Sequence, residues 1–225
     1  GVFGALTSGD NNVAVGLNAL DVNTTGSENV AVGMGALDTN TTGAGNISIG
    51  CGSMSANVSG NYNVAIGRCA LDTSVSGSAN VAIGDRALYT NTASYNTSVG
   101  FFSLAANTTG ASNVAVGTNV LSVNTSASNN TAVGKDSLKA NTTGSENTAL
   151  GITSSFSNTT GSCNVALGRN ALYTTTTGGQ NIAIGTAALY SNTTASNNTA
   201  VGSNALLANT TGASNVAVGA EALDA

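Results

Sequence analysis

Cys51, Cys69 and Cys163 are the three thiols of this sequence and its most reactive side chains. A thiol pairs, ligates a metal or attacks a substrate, and which of these it does depends on its neighbours. Attack needs a base. The sequence has no His, so neither a Ser-His-Asp nor a Cys-His arrangement can be built from it. No zinc-ligand spacing and no recurring carboxylate pair is present. Nor do the aspartates recur as they do in calcium-binding β-helix repeats. The chain therefore reads as a non-enzyme with no cofactor or metal. Pairing remains: Cys51 and Cys69 fall one and two residues after successive repeat glycines and are either isolated thiols or a disulfide. Cys163 lies too far along the chain to join either within one molecule, which leaves an intermolecular bond open.

The other reactive positions are asparagines. Asn23, Asn40, Asn57, Asn107, Asn124, Asn141, Asn158, Asn192 and Asn209 each begin an Asn-x-Thr/Ser sequon. All fall at the same place in a repeating unit, which reads as an exposed turn. In a secretory route they are candidate glycosylation sites; Asn-Thr-Thr is also good turn chemistry in its own right.

These residues are positioned by a repeat. Asn29-Val30-Ala31-Val32-Gly33 recurs along the whole chain, its glycine falling at Gly16, Gly33, Gly50, Gly67, Gly84, Gly100, Gly117 and on to Gly219. The period is 17 residues except for one step of 16, between Gly84 and Gly100. A fixed period in this range marks a solenoid or array. Composition agrees: aromatic residues are 4%, charged residues 7%, and Trp and Pro are absent, so no large mixed core can form. Each unit is too short for a helix pair. The Asn-Val-Ala-Val segment is β-branched and ends at Gly, as a short strand should. The reading is an all-β fold: a parallel β-solenoid of about thirteen coils spanning 1–225 as a single array, with 1–16 as an atypical, shorter first coil. Thirteen coils at about 4.8 Å each predict a stack of about 60 Å. The chain begins at Gly1 in mid-pattern, which reads as a piece of a longer protein.

Comparison between units predicts which side chains face inward. The residue before each repeat glycine is always aliphatic (Val32, Ile49, Ile66, Ile83), and is expected in the coil interior together with the residue two positions earlier. Leu37 and its equivalents are expected beside them. Ser155 breaks that leucine series, and Phe156 next to it is expected to substitute. The residue between the two aliphatics is Ala or Ser in every unit, so it is expected to face outward against a closely packed second chain, making the protein a homo-oligomer; the alternative is a monomeric coil thin enough to need Ala on one inner wall. Charged residues follow a repeat glycine (Arg68, Asp85, Lys135, Arg169), follow the leucine position (Asp21, Asp38, Asp72, Lys139) or precede the strand asparagine (Glu28, Glu146), and none falls within a strand.

Two stacked rows should join the coils. Asn29, Asn46, Asn63, Asn80 and Asn113 stand immediately before their strands, where a carboxamide with both donor and acceptor can bond to its copy in the next coil. The glycines that follow, Gly33, Gly50, Gly67, Gly84 and Gly117, permit a tight corner at positive φ. The second row is threonine, from Thr24 and Thr41 to Thr210, with Val58 and Val75 in its place in two coils, so the methyl matters more than the hydroxyl.

At these motifs the chain resembles a known family. Asn-Val-Ala-Val-Gly at 29–33 and Asn-Val-Ala-Ile-Gly at 63–67 are similar to the head repeats of trimeric autotransporter adhesins. They are similar also to repetitive phage and bacterial fibre proteins with Ala-Leu-x-x-Asn-Thr-Thr-Gly-x-x-Asn-x-Ala-Val-Gly runs. The likeness covers essentially the whole chain. It implies a left-handed β-roll, three chains about one axis, and an extracellular adhesive or fibre role. The adhesin coil is shorter by about three residues, a length only the first unit here approaches.

The expected function is thus a structural or adhesive fibre on a cell or virion surface, self-associated as a homotrimer or end-to-end filament and touching a host surface or matrix ligand. The alternative is ice binding through the threonine row. The net charge of −5, carried by scattered side chains, offers no basic patch for nucleic acid. No apolar run approaches the length needed for membrane insertion.

Overall fold

The computed structural model describes Gly1 and residues 3–224. The chain forms two compact units, Gly1–Ser112 and Asn113–Ala225. The first holds β1 (Val13–Val15), β2 (Val30–Val32), β3 (Ile47–Ile49), β4 (Val64–Ile66), β5 (Val81–Ile83) and β6 (Thr97–Val99). The second holds β7 (Val114–Val116), β8 (Thr131–Val133), β9 (Thr148–Leu150), β10 (Val165–Leu167), β11 (Ile182–Ile184), β12 (Thr199–Val201) and β13 (Val216–Val218). Within each unit every strand pairs in parallel with the next. The register is one repeat: Val30 opposes Ile47, Ala31 opposes Ser48, and Val32 opposes Ile49. Parallel pairing of consecutive strands requires a full crossover. The residues from one strand to the next supply it as one lap of a coil, so the fold is an all-β parallel solenoid.

The lap closes through left-handed backbone. In the coil between β2 and β3, Gly33, Gly35, Leu37 and Gly45 have φ of 137°, 66°, 52° and 66°. The first of these needs glycine twice over. Its φ is one that L side chains rarely adopt, and a Cβ there would stand 2.5 Å from the Gly50 carbonyl oxygen of the next coil. Gly43 is held by space alone: a Cβ would lie 2.4 Å from Asn40 Oδ1 and 2.5 Å from the Gly60 carbonyl oxygen. The other corners accept side chains. Leu20, Leu71, Leu88 and Leu104 repeat the conformation of Leu37, with φ of 51°, 53°, 53° and 50°.

The direction in which the strand faces point corrects the sequence reading. Ala31, Ala65, Ala82 and Ala115 are fully buried, whereas Val30, Val32, Val64 and Ile66 are half-buried and Ile47 and Ile49 each 37% exposed. The alanines line the interior and the β-branched residues face outward. The reason lies across the coil. The interior already holds Leu37, Ala36, Asn40 and Asn46, all at 0% exposure, and the wall opposite them carries only Ala or Ser, the Ser48 hydroxyl donating to the Ser53 carbonyl at 2.8 Å. Alternation along the strand then sends the larger neighbours out. Leu37 and its equivalents are buried as expected, but beside the alanines. Phe156 does not fill the place of the missing leucine. Ser155 is itself buried in the leucine position, while Phe156 is half-buried and stacks on Tyr173, ring centroids 5.1 Å apart.

Candidate functional site

Two columns of asparagine run through the interior. In the column before the strands, Asn46 Nδ2 donates to Asn29 Oδ1 at 3.1 Å and to the Gly60 carbonyl at 2.8 Å. The Asn46 backbone N–H donates to the same Asn29 oxygen at 3.0 Å. Asn63 and Asn80 repeat the pattern on Asn46 and Asn63, and Asn130 repeats it on Asn113. Each carboxamide in this run is thus fully used, which is what burial of a polar group demands. The repeat glycines Gly33, Gly50, Gly67, Gly84 and Gly117 all sit at φ between 131° and 137°, at the far end of each strand from the asparagine.

The second column consists of the sequon asparagines, and the expectation that they lie in an exposed turn is corrected. Asn23, Asn40, Asn57, Asn107, Asn124, Asn141, Asn158 and Asn192 are buried, none more than 1% exposed. Asn209, in the last coil, is half-buried and donates to the Gly212 carbonyl at 2.9 Å. Asn40 Nδ2 donates to Asn23 Oδ1 at 2.8 Å and to the Gly43 carbonyl at 3.0 Å. Asn57 bonds to Asn40, Asn141 to Asn124, and Asn158 to Asn141 in the same way. One signal in the sequence pointed here: from Asn23 onward the column is Asn except at Ser74 and Thr175, so only small polar residues replace it there. Those two positions mark breaks. Ser74 Oγ is buried without a partner, and Asn158 Oδ1 has no donor where Thr175 stands in the next coil.

The threonine column also bonds along the stack. Thr24 Oγ1 donates to the Thr41 carbonyl at 2.9 Å, and Thr41 Oγ1 to the Val58 carbonyl at 3.2 Å. Val58 and Val75 have no hydroxyl and forgo this bond; Val75 is 49% exposed. A further column, which the sequence reading did not separate out, carries stacked rings. Phe156, Tyr173 and Tyr190 lie face to face at 5.1 Å spacing, within 6° of parallel, with Lys139 Nζ 5.6 Å from the Phe156 centroid. Both faces of Tyr173 are thus covered by its neighbours in the column.

All three cysteines are free thiols; Cys51 and Cys163 are exposed and Cys69 is half-buried. The Cys69 sulfur lies against Gly52, 3.6 Å from where a Cβ would stand there. Burial pushes the Cys69 thiol up, and the Asp72 carboxylate adds to this. Burial likewise raises Cys163, reinforced by a hydrogen bond from its Sγ to Glu146 Oε2 at 3.5 Å. Asp85, bound through Nε and an NH2 group at 2.8 Å each, holds Arg68 more firmly protonated than usual. Among the described residues no cluster of three His, Cys, Asp or Glu side chains could hold a metal ion. Among the same residues no helix is long and apolar enough to cross a membrane.

The surface that remains is the outward face of the strands. In the first unit it presents Val13, Val15, Val30, Val32, Ile47, Ile49, Val64, Ile66, Val81, Ile83 and Val99, with Thr97 among them. The second unit presents the same pattern, with Thr131, Thr148 and Thr199 at three of its positions. No charged residue falls on this face in either unit. Interior and face define a β-solenoid repeat protein, each unit having two buried amide columns and a regular, uncharged outward face made largely of β-branched residues. No protein-family model matches the chain, and no curated protein or solved structure matches it either.

Proposed function

We propose that this chain is the repetitive part of an extracellular structural fibre, on a cell or virion surface, in which several copies pack through their strand faces as a homotrimer. The observation that carries this reading is the outward column of Val and Ile. Contiguous exposed apolar surface of this kind marks an association site. Its side chains recur at the coil spacing of about 4.8 Å. A partner that matches them over many coils must have the same spacing, and another copy of the chain has it. Nothing in the reading requires a catalytic group: a fibre holds a terminal adhesive surface away from its anchor by repetition alone. Contact with a host surface or matrix ligand then belongs to the assembled fibre.

Light scattering on the purified chain tests this. A mass three times that of the chain is expected, falling to one chain when Ile49 and Ile66 are both replaced by Lys. A monodisperse monomer at tens of micromolar overturns the reading.

A further inference from the structure

Side chains at the first and second positions after a repeat glycine share one corner of the coil. In the first unit the ring centroids of Phe101 and Phe102 lie 4.5 Å apart, and Arg86 Nε stands 3.9 Å from Asp85 Oδ1. In the second unit Lys135 Nζ stands 4.0 Å from Asp136 Oδ2. Cys51 holds the first of these positions after β3, and Cys69 holds the second after β4. Both belong to the first unit.

Backbone, side chain and free space all bring these two thiols together. The backbone N–H of Cys69 donates to the Cys51 carbonyl at 3.0 Å. A coil spacing of about 4.8 Å and a step of about 3.3 Å along the chain set the two α-carbons roughly 6 Å apart, inside the range of about 4.4–6.8 Å that a disulfide spans. The Cys69 side chain leans back toward the coil of Cys51. Its sulfur lies 3.6 Å from where a Cβ on Gly52 would stand, and Gly52 is the residue next to Cys51. The corner is also clear at this level. From Asn18 to Glu221 the second position after the repeat glycine has a side chain in every coil except at Gly35 and Gly52. Backbone conformation does not demand glycine there: Asn18, Asn119 and Asn170 hold φ of 58°, 55° and 60° at the same position, against 64° for Gly52. Glycine at 52 leaves open the space beside Cys51 into which the Cys69 sulfur turns.

We infer that Cys51 and Cys69 form a dithiol site, which a small-molecule disulfide such as oxidised glutathione converts to an intrachain disulfide between consecutive coils. The thiolate of Cys51, the more exposed of the two, attacks one sulfur of the small disulfide. The S–S bond of that molecule breaks, a mixed disulfide forms on Cys51, and one small thiol leaves. Cys69 then attacks the Cys51 sulfur. The mixed disulfide breaks as the intrachain bond forms, and the second small thiol leaves. The two protons of the protein thiols end on the two released thiols, so the chain is oxidised by two electrons and the small disulfide is reduced by two. Cys163 is the one cysteine of the second unit and stops at the mixed disulfide. The site needs no contact between copies and is independent of the association proposed above.

Oxidation of the purified chain tests this. The chain is held at low micromolar concentration with excess oxidised glutathione at about pH 8, where thiolate is available. It is then quenched in acid, alkylated and analysed by intact mass and peptide mapping. The expected product has lost two hydrogens in a Cys51–Cys69 link and gained one glutathione at Cys163. Separate glutathiones on Cys51 and Cys69 overturn the site, as does a pair left free while Cys163 reacts, or a covalent dimer through Cys51. Two substitutions probe the space. Gly52→Asn suits the backbone but places a side chain against the Cys69 sulfur, and is expected to slow closure of the mixed disulfide about tenfold or more. Gly35→Asn enters open space and should leave closure within about twofold of the parent. Equal closure rates in the two variants overturn the role given to Gly52.

Discussion

The side-chain amide of Asn40 donates to Oδ1 of Asn23, 2.8 Å away, inside the coil stack. A residue that begins a glycosylation sequon is therefore an interior hydrogen-bonding group, with no face turned to solvent. A glycan on its Nδ2 would have to pass through the neighbouring coil. Protein secreted in folded form from a eukaryotic host is accordingly expected to have the mass of the bare polypeptide at Asn23, Asn40, Asn57, Asn107, Asn124, Asn141, Asn158 and Asn192. Intact mass and peptide mapping check this. A folded species glycosylated at Asn40 or Asn141 would contradict the buried column.

The two breaks in that column predict gains. At Ser74 a carboxamide would restore the missing member between Asn57 and Asn91, and at Thr175 it would give Asn158 Oδ1 the donor it lacks. Ser74→Asn and Thr175→Asn are each expected to stabilise by about 1 kcal/mol, the net worth of a buried hydrogen bond. The denaturant midpoint measures this at constant slope. Asn63→Ala should act oppositely. It leaves the Asn80 amide and the Gly77 carbonyl without their Asn63 partners, at about 1–3 kcal/mol for each group orphaned.

The inverted strand face separates two substitutions that a hydrophobicity argument treats alike. Ala65→Val adds bulk to a wall with no room and is expected to cost about 1–3 kcal/mol of stability. Val64→Thr changes a half-buried outward position and should leave the unfolding midpoint of the dissociated chain within about 0.5 kcal/mol. Measured below the concentration at which copies associate, a larger loss for Val64→Thr than for Ala65→Val would return the valines to the interior.

Cys163 offers a pH test. Burial and the Glu146 carboxylate both raise its thiol, so at pH 8 less of it is thiolate than in an unhindered cysteine. Iodoacetamide should modify Cys163 more slowly than Cys51. Glu146→Gln removes the negative charge, lowers the thiol toward its ordinary value and should raise the modification rate at pH 8, with little change well above pH 10. An unchanged rate at pH 8 would show that the carboxylate does not reach the sulfur in solution.

The repeat glycines, the buried leucines and the asparagines ahead of each strand were legible because their residue type alone is decisive. Gly33 tolerates no Cβ, Leu37 has nowhere to go but inside, and a strictly periodic Asn has its own copy as a partner. The orientation of Val30, Ala31 and Val32 was not legible, because apolar residues are a one-way guide to the interior. A Val faces outward without penalty when the inside is full, and how full it is depends on Asn40 and Leu37, which come from a different part of the lap. The sequon asparagines were misplaced for a related reason. Asn-Thr-Thr-Gly has the composition of a solvated turn, and only packing against the next lap shows that its carboxamide points inward while Thr41 and Thr42 point out.

The left-handed leucines carry a consequence for how such a chain is made. A backbone conformation that costs roughly 1–2 kcal/mol for an ordinary residue is imposed on Leu20, Leu37, Leu71, Leu88 and their counterparts. A stretch in isolation has no reason to adopt it. The shape must be copied from a lap already in place, so assembly advances by accretion, as a crystal grows from a seed, and the slow event is the birth of the first ordered pair. Shortening the array from either tip should then leave the growth rate nearly constant, while the chance of seeding falls with the number of places where it can begin.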